Sequence, residues 1–221
     1  MSKATRNKLV KQGITPEKIT VIYGGVEYEK LSTLKVKKFS HPTICSTARL
    51  LPYKRIGDLI KAIAILKKII PEIRCLIIGE GPEKENLKSQ IVNLKLSTSV
   101  NLLGNMPYCS VIETLKKSHL FCLPSIVEGF GIVTVEAMAS GVPFVTARIP
   151  ATEEATQNGM GGFLFDPKNV RELAMKLHLL LTDIKLYQQK KREGLLLAKQ
   201  YDWAIIAKQT EAVYKKAIRN Y

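Results

Sequence analysis

Short apolar runs alternate with amphipathic stretches through the middle of the chain. Six runs stand out, at 43–47, 74–78, 100–103, 120–123, 143–146 and 163–165. They are mostly β-branched or aliphatic and lack strict polar alternation, which predicts strands buried on both faces. Helical patterns lie between them. Over 56–70, Ile56, Leu59, Ile60, Ile63 and Leu66 recur at threes and fours, Lys61, Lys67 and Lys68 fall off that stripe, and Pro71 closes it. Pro82 is expected to open the next helix, with Glu83 and Glu85 near its positive end and Leu87, Ile91 and Leu94 on its stripe. Further helices are predicted at about 108–117, 131–140 and 151–158, and two or three more across 168–219.

Strand and helix in strict alternation predict an α/β fold: a Rossmann-like, doubly wound parallel sheet of about six strands, with helical extensions at both ends. The expected division is 1–40 as an extension, 41–200 as the Rossmann-like domain and 201–221 as a final helix. In such a sheet the ligand sits beyond the carboxyl ends of the strands. The loops to examine are therefore 49–54, 79–82, 104–107, 124–131 and 148–150.

Composition excludes several classes. Hydrophobic residues make up 46% and charged residues 24% of the 221, so disordered and collagen-like chains are ruled out. No apolar stretch reaches 18 residues without a charge, and the first residues lack an apolar signal core. Neither a membrane-spanning helix nor a secretory signal is expected. Cys45, Cys75 and Cys122 sit in apolar runs and read as buried free thiols of a reduced compartment. His41, His119 and His178 are scattered, so no metal site is expected, and His119 reads as a core histidine. The net charge is +15. Residues 1–40 carry nine basic and three acidic side chains, and 182–221 carry nine and four. Basic ends fit an anionic surface, nucleic acid or a membrane leaflet; the plain alternative is lysine-rich solvated helices.

Two constellations could carry chemistry. Ser125 to Glu136 contains Glu128-Gly129-Phe130-Gly131 running into a helix. Its glycines let backbone approach a ligand, and free amides at a helix start attract anions. Glu128 and Glu136 would repel a phosphate, so they suit neutral hydroxyl donors such as those of a sugar or ribose. The plain alternative makes Glu136 a surface residue and the glycines turn punctuation. Arg49 and Lys54, just after the first run, suit the two phosphates of a diphosphate, or form an ordinary basic loop. Gly79-Glu80-Gly81-Pro82-Glu83-Lys84 fails as a dinucleotide fingerprint, and neither a P-loop nor a Gly-x-Ser-x-Gly elbow occurs.

These residues resemble the group 1, family 4 retaining glycosyltransferases. The stations are Ala48 to Lys54, Gly79 to Pro82, Leu103 to Pro107, Glu128 to Gly131 with Glu136 to Pro143, Gly161 to Pro167, and Tyr201-Asp202-Trp203. They come in order over nearly the whole chain. The resemblance implies the carboxyl-terminal, donor-binding half of a two-domain GT-B fold. It implies that Arg49 and Lys54 hold the donor diphosphate and that the backbone of Phe130, Gly131 and Ile132 meets sugar and phosphate. Glu136 would hold the ribose, Glu128 would act on the hexose as the catalytic-site carboxylate, and the backbone near Met106 would meet the base. The donor implied is a UDP-, GDP- or ADP-hexose, with no other cofactor and no metal. Arg55 and Gly24 depart from the family's usual Gly and Asn. The resemblance makes 1–40 the end of a missing amino-terminal domain and the interdomain segment and 201–221 a crossover helix, so the expectation is an inactive half of an enzyme whose amino-terminal domain takes a glycan or lipid-linked acceptor. A cytoplasmic location, peripheral to the inner membrane face, is expected. The rivals are a non-catalytic nucleotide-sugar-binding subunit and a nucleic-acid-binding protein; the latter is disfavoured because the charge avoids the strand-end loops.

Overall fold

The computed structural model describes residues 2–219; Met1, Asn220 and Tyr221, the tips of the two expected extensions, lie outside the described residues. Six strands form one parallel sheet: β1 (Thr43–Thr47), β2 (Arg74–Ile78), β3 (Val100–Gly104), β4 (Leu120–Leu123), β5 (Phe144–Ala147) and β6 (Gly162–Phe165). Their order across the sheet is β3-β2-β1-β4-β5-β6. The chain direction of winding reverses between β1 and β4, which pair through Ile44↔Leu120 and Cys45↔Phe121. Every residue of β4 and β5 is buried, as their unbroken apolar runs require.

The helices are α1 (Lys3–Lys11), α2 (Tyr28–Thr33), α3 (Ile56–Lys67), α4 (Lys84–Asn93), α5 (Tyr108–Lys117), α6 (Ile132–Ala139), α7 (Pro150–Ala155), α8 (Val170–Thr182), α9 (Ile184–Ala198) and α10 (Trp203–Arg219). The stripe of α3 buries Ile56, Leu59, Ile60, Ile63 and Leu66 against β1 and β2 residues Ile44, Cys75 and Ile77. On the other face Val135, Ala137 and Met138 of α6 pack with Phe121, Leu123 and Phe144. Asn169 caps α8 by accepting from the Glu172 amide at 3.1 Å, and Asp183 caps α9 through the Leu186 amide at 2.9 Å.

Some bounds differ from expectation for local reasons. Helix α4 starts at Lys84, two residues after Pro82, because the Glu83 amide donates to Leu50 O (3.0 Å) and holds 80–83 as a turn against the β1 loop. Helix α3 stops at Lys67, and Ile70 turns back to donate its amide to Leu66 O at 2.7 Å. Helix α7 ends at Ala155, since Gln157 and Asn158 are left-handed. The two ends of the chain meet: the Val26 amide donates to Tyr201 O (2.8 Å) and the Trp203 amide to Val26 O (3.1 Å). Among the described residues no helix is long and apolar enough to cross a membrane.

Candidate functional site

At the carboxyl ends of β1 and β4 the loops 49–54 and 124–131 face each other. Backbone bonds fix them. The Leu50 amide donates to Glu80 O (2.8 Å), tying the β1 loop to the β2 loop, and the Ile126 amide donates to Tyr53 O (2.9 Å), tying it to the β4 loop. Between them runs a groove of about 410 Å³. Arg49, Lys54, Met106, Glu128, Gly131 and Ile132 all line it. Phe130 and Glu136 do not.

Lys54 Nζ and Glu128 Oε1 are 2.6 Å apart, with side chains only 15% and 11% exposed. Each therefore sets the position of the other. The Lys54 ammonium also lies 5.5 Å from the Tyr53 ring centroid. Glu80, also on the groove wall, is held by Lys84 at 2.6 Å. Arg49 is exposed, and its guanidinium has no hydrogen-bond or ion-pair partner among the described residues. The groove thus presents one unengaged cation beside one paired with a carboxylate.

Gly131 is the N-cap of α6 in a left-handed conformation, φ 83°. No side chain among the described residues caps that helix start, and Gly131, Ile132 and Val133 there form part of the groove wall. The hydroxyls of Ser125, in the loop after β4, and of Thr134, in the first turn of α6, are buried without a hydrogen-bond partner among the described residues. Glu136 follows Ile132 by one turn. Burial pushes its carboxyl above the ordinary range, and a hydrogen bond from Tyr108 Oη to Oε1 (3.0 Å) acts in the opposite direction. Oε2 remains as an acceptor. Burial and the Glu136 carboxylate together push the Tyr108 phenol upward.

Phe130 turns away from the groove into an aromatic cluster. Its ring stacks on Tyr23 (4.9 Å, 16°) and meets Tyr201 edge-on (5.3 Å). Tyr23 Oη donates to Glu154 Oε1 (2.8 Å), and the same carboxylate accepts from the Lys3 and Ala4 amides at the start of α1. Tyr108, Tyr23 and Glu154 were not singled out from sequence. Their partners lie 28 and 131 residues away, beyond any local pattern. Arg55 adopts φ 55°, which explains why glycine suits this position; its guanidinium makes a two-point contact with buried Asp58 at 2.8 and 2.9 Å. His119 is half-buried, accepts from the Thr43 amide (3.1 Å), and is shifted downward by burial and then by Lys38. No group of three or more metal-ligating side chains lies together among the described residues.

Comparison with known proteins places these features in a wider set. Residues 29–195 match the family model for glycosyl transferases group 1. An uncharacterized glycosyltransferase of Haemophilus influenzae is 33% identical over 168 residues, covering 76% of this chain and 47% of that protein. A glycogen synthase of Mycobacterium tuberculosis is 29% identical over 203 residues, covering 91% and 49%. The chain spans about half the length of these curated relatives. Among solved structures, Anabaena HepE in complex with UDP and glucose superposes with a TM-score of 0.86 at 24% identity, covering 97% of this chain and 62% of that one.

Proposed function

The chain belongs to the group 1 glycosyltransferases, and on that premise we propose that it holds the donor of a sugar transfer, a nucleoside-diphosphate hexose whose sugar leaves with retention of configuration. The observation that carries the reading is the meeting of Arg49, Lys54 and Glu128 with the uncapped start of α6 in one groove at the switch point of the sheet. Arg49 and Lys54 supply fixed positive charge for the diphosphate, which stabilises the charge that grows as the sugar departs. Amides near Gly131 and Ile132, with that of Phe130, contact phosphate and sugar. Glu128 faces the hexose, its carboxylate oriented by Lys54. Glu136 accepts from the ribose hydroxyls through the oxygen Tyr108 leaves open, and backbone near Met106 borders the base. HepE holds UDP and glucose, which supports UDP-hexose as the first donor to test, ahead of GDP- and ADP-hexose. No metal or other cofactor is assigned. Transfer also needs an acceptor hydroxyl held against the anomeric carbon. We assign a glycan or lipid-linked acceptor to a second, acceptor-binding domain, and turnover to the two domains together.

Calorimetry tests the donor assignment. UDP is expected to bind more tightly than UMP. Arg49→Ala should remove most of that preference, whereas Glu136→Ala should weaken both ligands, because both carry the ribose. Each loss is about 1.5–3 kcal/mol, roughly ten- to a hundredfold. As pH falls through the raised pKa of Glu136, its carboxylate is protonated, so binding should weaken. Tyr108→Phe removes the bond that holds this pKa down, so the loss should begin at higher pH. Unchanged affinities in both alanine variants would remove the assignment.

The basic ends support a cytoplasmic protein resting on the anionic inner leaflet. Lys3, Arg6, Lys8 and Lys11 lie on or beside α1, and Lys208, Lys215 and Lys216 on α10. Each such residue contributes about 1 kcal/mol near a charged membrane. Co-sedimentation with anionic vesicles should be strong at low salt and weak at high salt. Equal recovery on neutral vesicles would count against it.

A further inference from the structure

The end of the sheet opposite the donor groove holds a second concentration of charge. Three segments run side by side into the amino ends of β1, β4 and β5: residues 36–42, 116–119 and 140–143. They are bonded together, the Phe39 amide to Lys117 O (2.9 Å), the His119 amide to Thr43 O (2.8 Å) and the Phe121 amide to Pro143 O (3.0 Å). Lys38 Nζ donates to Ser118 O at 2.5 Å. Lys116, only 6% exposed, donates to Leu31 O. Lys191 of α9 lies across Gly141, its Cε 3.2 Å from where a β-carbon on that glycine would be. The fold therefore brings one lysine from each basic end of the chain to a third from its middle.

None of the three lysines forms an ion pair among the described residues. The carboxylates on the same helices are engaged elsewhere, Glu113 by Lys117 at 2.5 Å and Glu193 by Lys190 at 2.8 Å. Lys191 has no hydrogen-bond partner among the described residues. The negative ends at this edge are the carboxyl termini of α5 at Lys117 and of α6 at Ala139, which together supply only about one elementary charge. Three ammonium groups outweigh that charge. Burial lowers the Lys38 ammonium to about 8, and the charges of Lys191 and then Lys116 add to that shift. Half-buried cations without counter-charge are costly, and in folded proteins they are normally met by an anion.

We propose that Lys38 and Lys191, with Lys116 behind them, form a phosphate-binding site at the amino end of the sheet, separate from the donor groove. An ammonium has three donors, and Lys38 spends one on Ser118, so Lys38 and Lys191 together present several toward one anion. A phosphate carries more than one negative charge and several acceptor oxygens, which matches this set better than a carboxylate. Strands of four or five residues at about 3.3 Å per residue put roughly 13–17 Å between the two ends. The site and the donor groove can therefore be filled at once. A phosphate ester in solution and the phosphate of a lipid headgroup have the same recognition chemistry.

The test uses the intact chain with inorganic phosphate as probe, read by thermal shift and calorimetry. Phosphate is expected to raise the Tm of the wild type and of Arg49→Ala alike. Lys191→Ala should weaken apparent phosphate affinity at least tenfold, and Lys191→Arg should keep most of it. In phosphate-free buffer Lys191→Ala should be at least as stable as the wild type, because it relieves like-charge repulsion; a purely structural lysine would show a loss. Vesicles containing phosphatidic acid provide a second arm. Weaker recovery of Lys191→Ala than of wild type identifies a headgroup as the source, and equal recovery a soluble phosphate. The proposal is overturned if phosphate gives no shift, or if the shift disappears in Arg49→Ala and survives in Lys191→Ala.

Discussion

Lys54→Met is expected to lower stability by about 3 kcal/mol, because it strands a carboxylate that is mostly removed from water. Glu128 is 11% exposed and its oxygen sits 2.6 Å from the lysine nitrogen. For a chain of this size the loss corresponds to roughly 6–12 °C in Tm. The double variant Lys54→Met/Glu128→Gln carries no unpaired charge and should recover much of the stability. It should not recover nucleotide-sugar binding, since the cation proposed for the phosphate and the carboxylate proposed for the sugar are both gone. That separation distinguishes a pair kept for folding from one kept for the ligand. A stable Lys54→Met, or a double variant that binds UDP-hexose like the wild type, would contradict it.

Gly79→Ala should be more damaging still. Gly79 closes β2 with φ 132°, a region reserved almost entirely for glycine. A β-carbon there would lie 2.0 Å from Ala48 O, and backbone cannot rotate out of the way as a side chain can. The strain and the displacement together should exceed about 3 kcal/mol. Ala48 precedes Arg49, so surviving folded protein should also bind diphosphate poorly. Gly129→Ala is the control: nothing lies within 4 Å of its would-be β-carbon. Denaturant melts showing equal stability for the two variants would contradict the account.

The sheet was legible because parallel strands buried on both faces leave continuous apolar runs. The bounds of β1, β2 and β4 fall where those runs begin and end, while β5 shifts by a residue and β3 and β6 each gain one. The groove was legible because a doubly wound sheet forces its ligand loops to the strand ends, where Arg49, Lys54 and Glu128 stand. What sequence could not show was long-range pairing. Lys54 and Glu128 are 74 residues apart; both are expected from sequence to face a ligand, and the structure has them facing each other. Phe130 sits in the glycine-rich loop, yet its ring belongs to a cluster with Tyr23 and Tyr201, which come from segments far away in the chain. The start of α4 depended on a bond from Glu83 to Leu50, which no helix propensity contains.

The four cysteines offer a practical consequence. Cys45, Cys75 and Cys122 have no exposed surface, and burial raises the thiol of Cys45 to about 12 and that of Cys75 well above its usual value. A thiol so rarely ionised and so enclosed does not react at neutral pH. Cys109 is exposed, one residue beyond Tyr108, whose phenol touches Glu136. A maleimide dye added to the unaltered protein should therefore couple at one place, on the first turn of α5. Its emission would report directly on whatever moves Tyr108, giving an optical titration of the Tyr108–Glu136 pair without a single engineered residue.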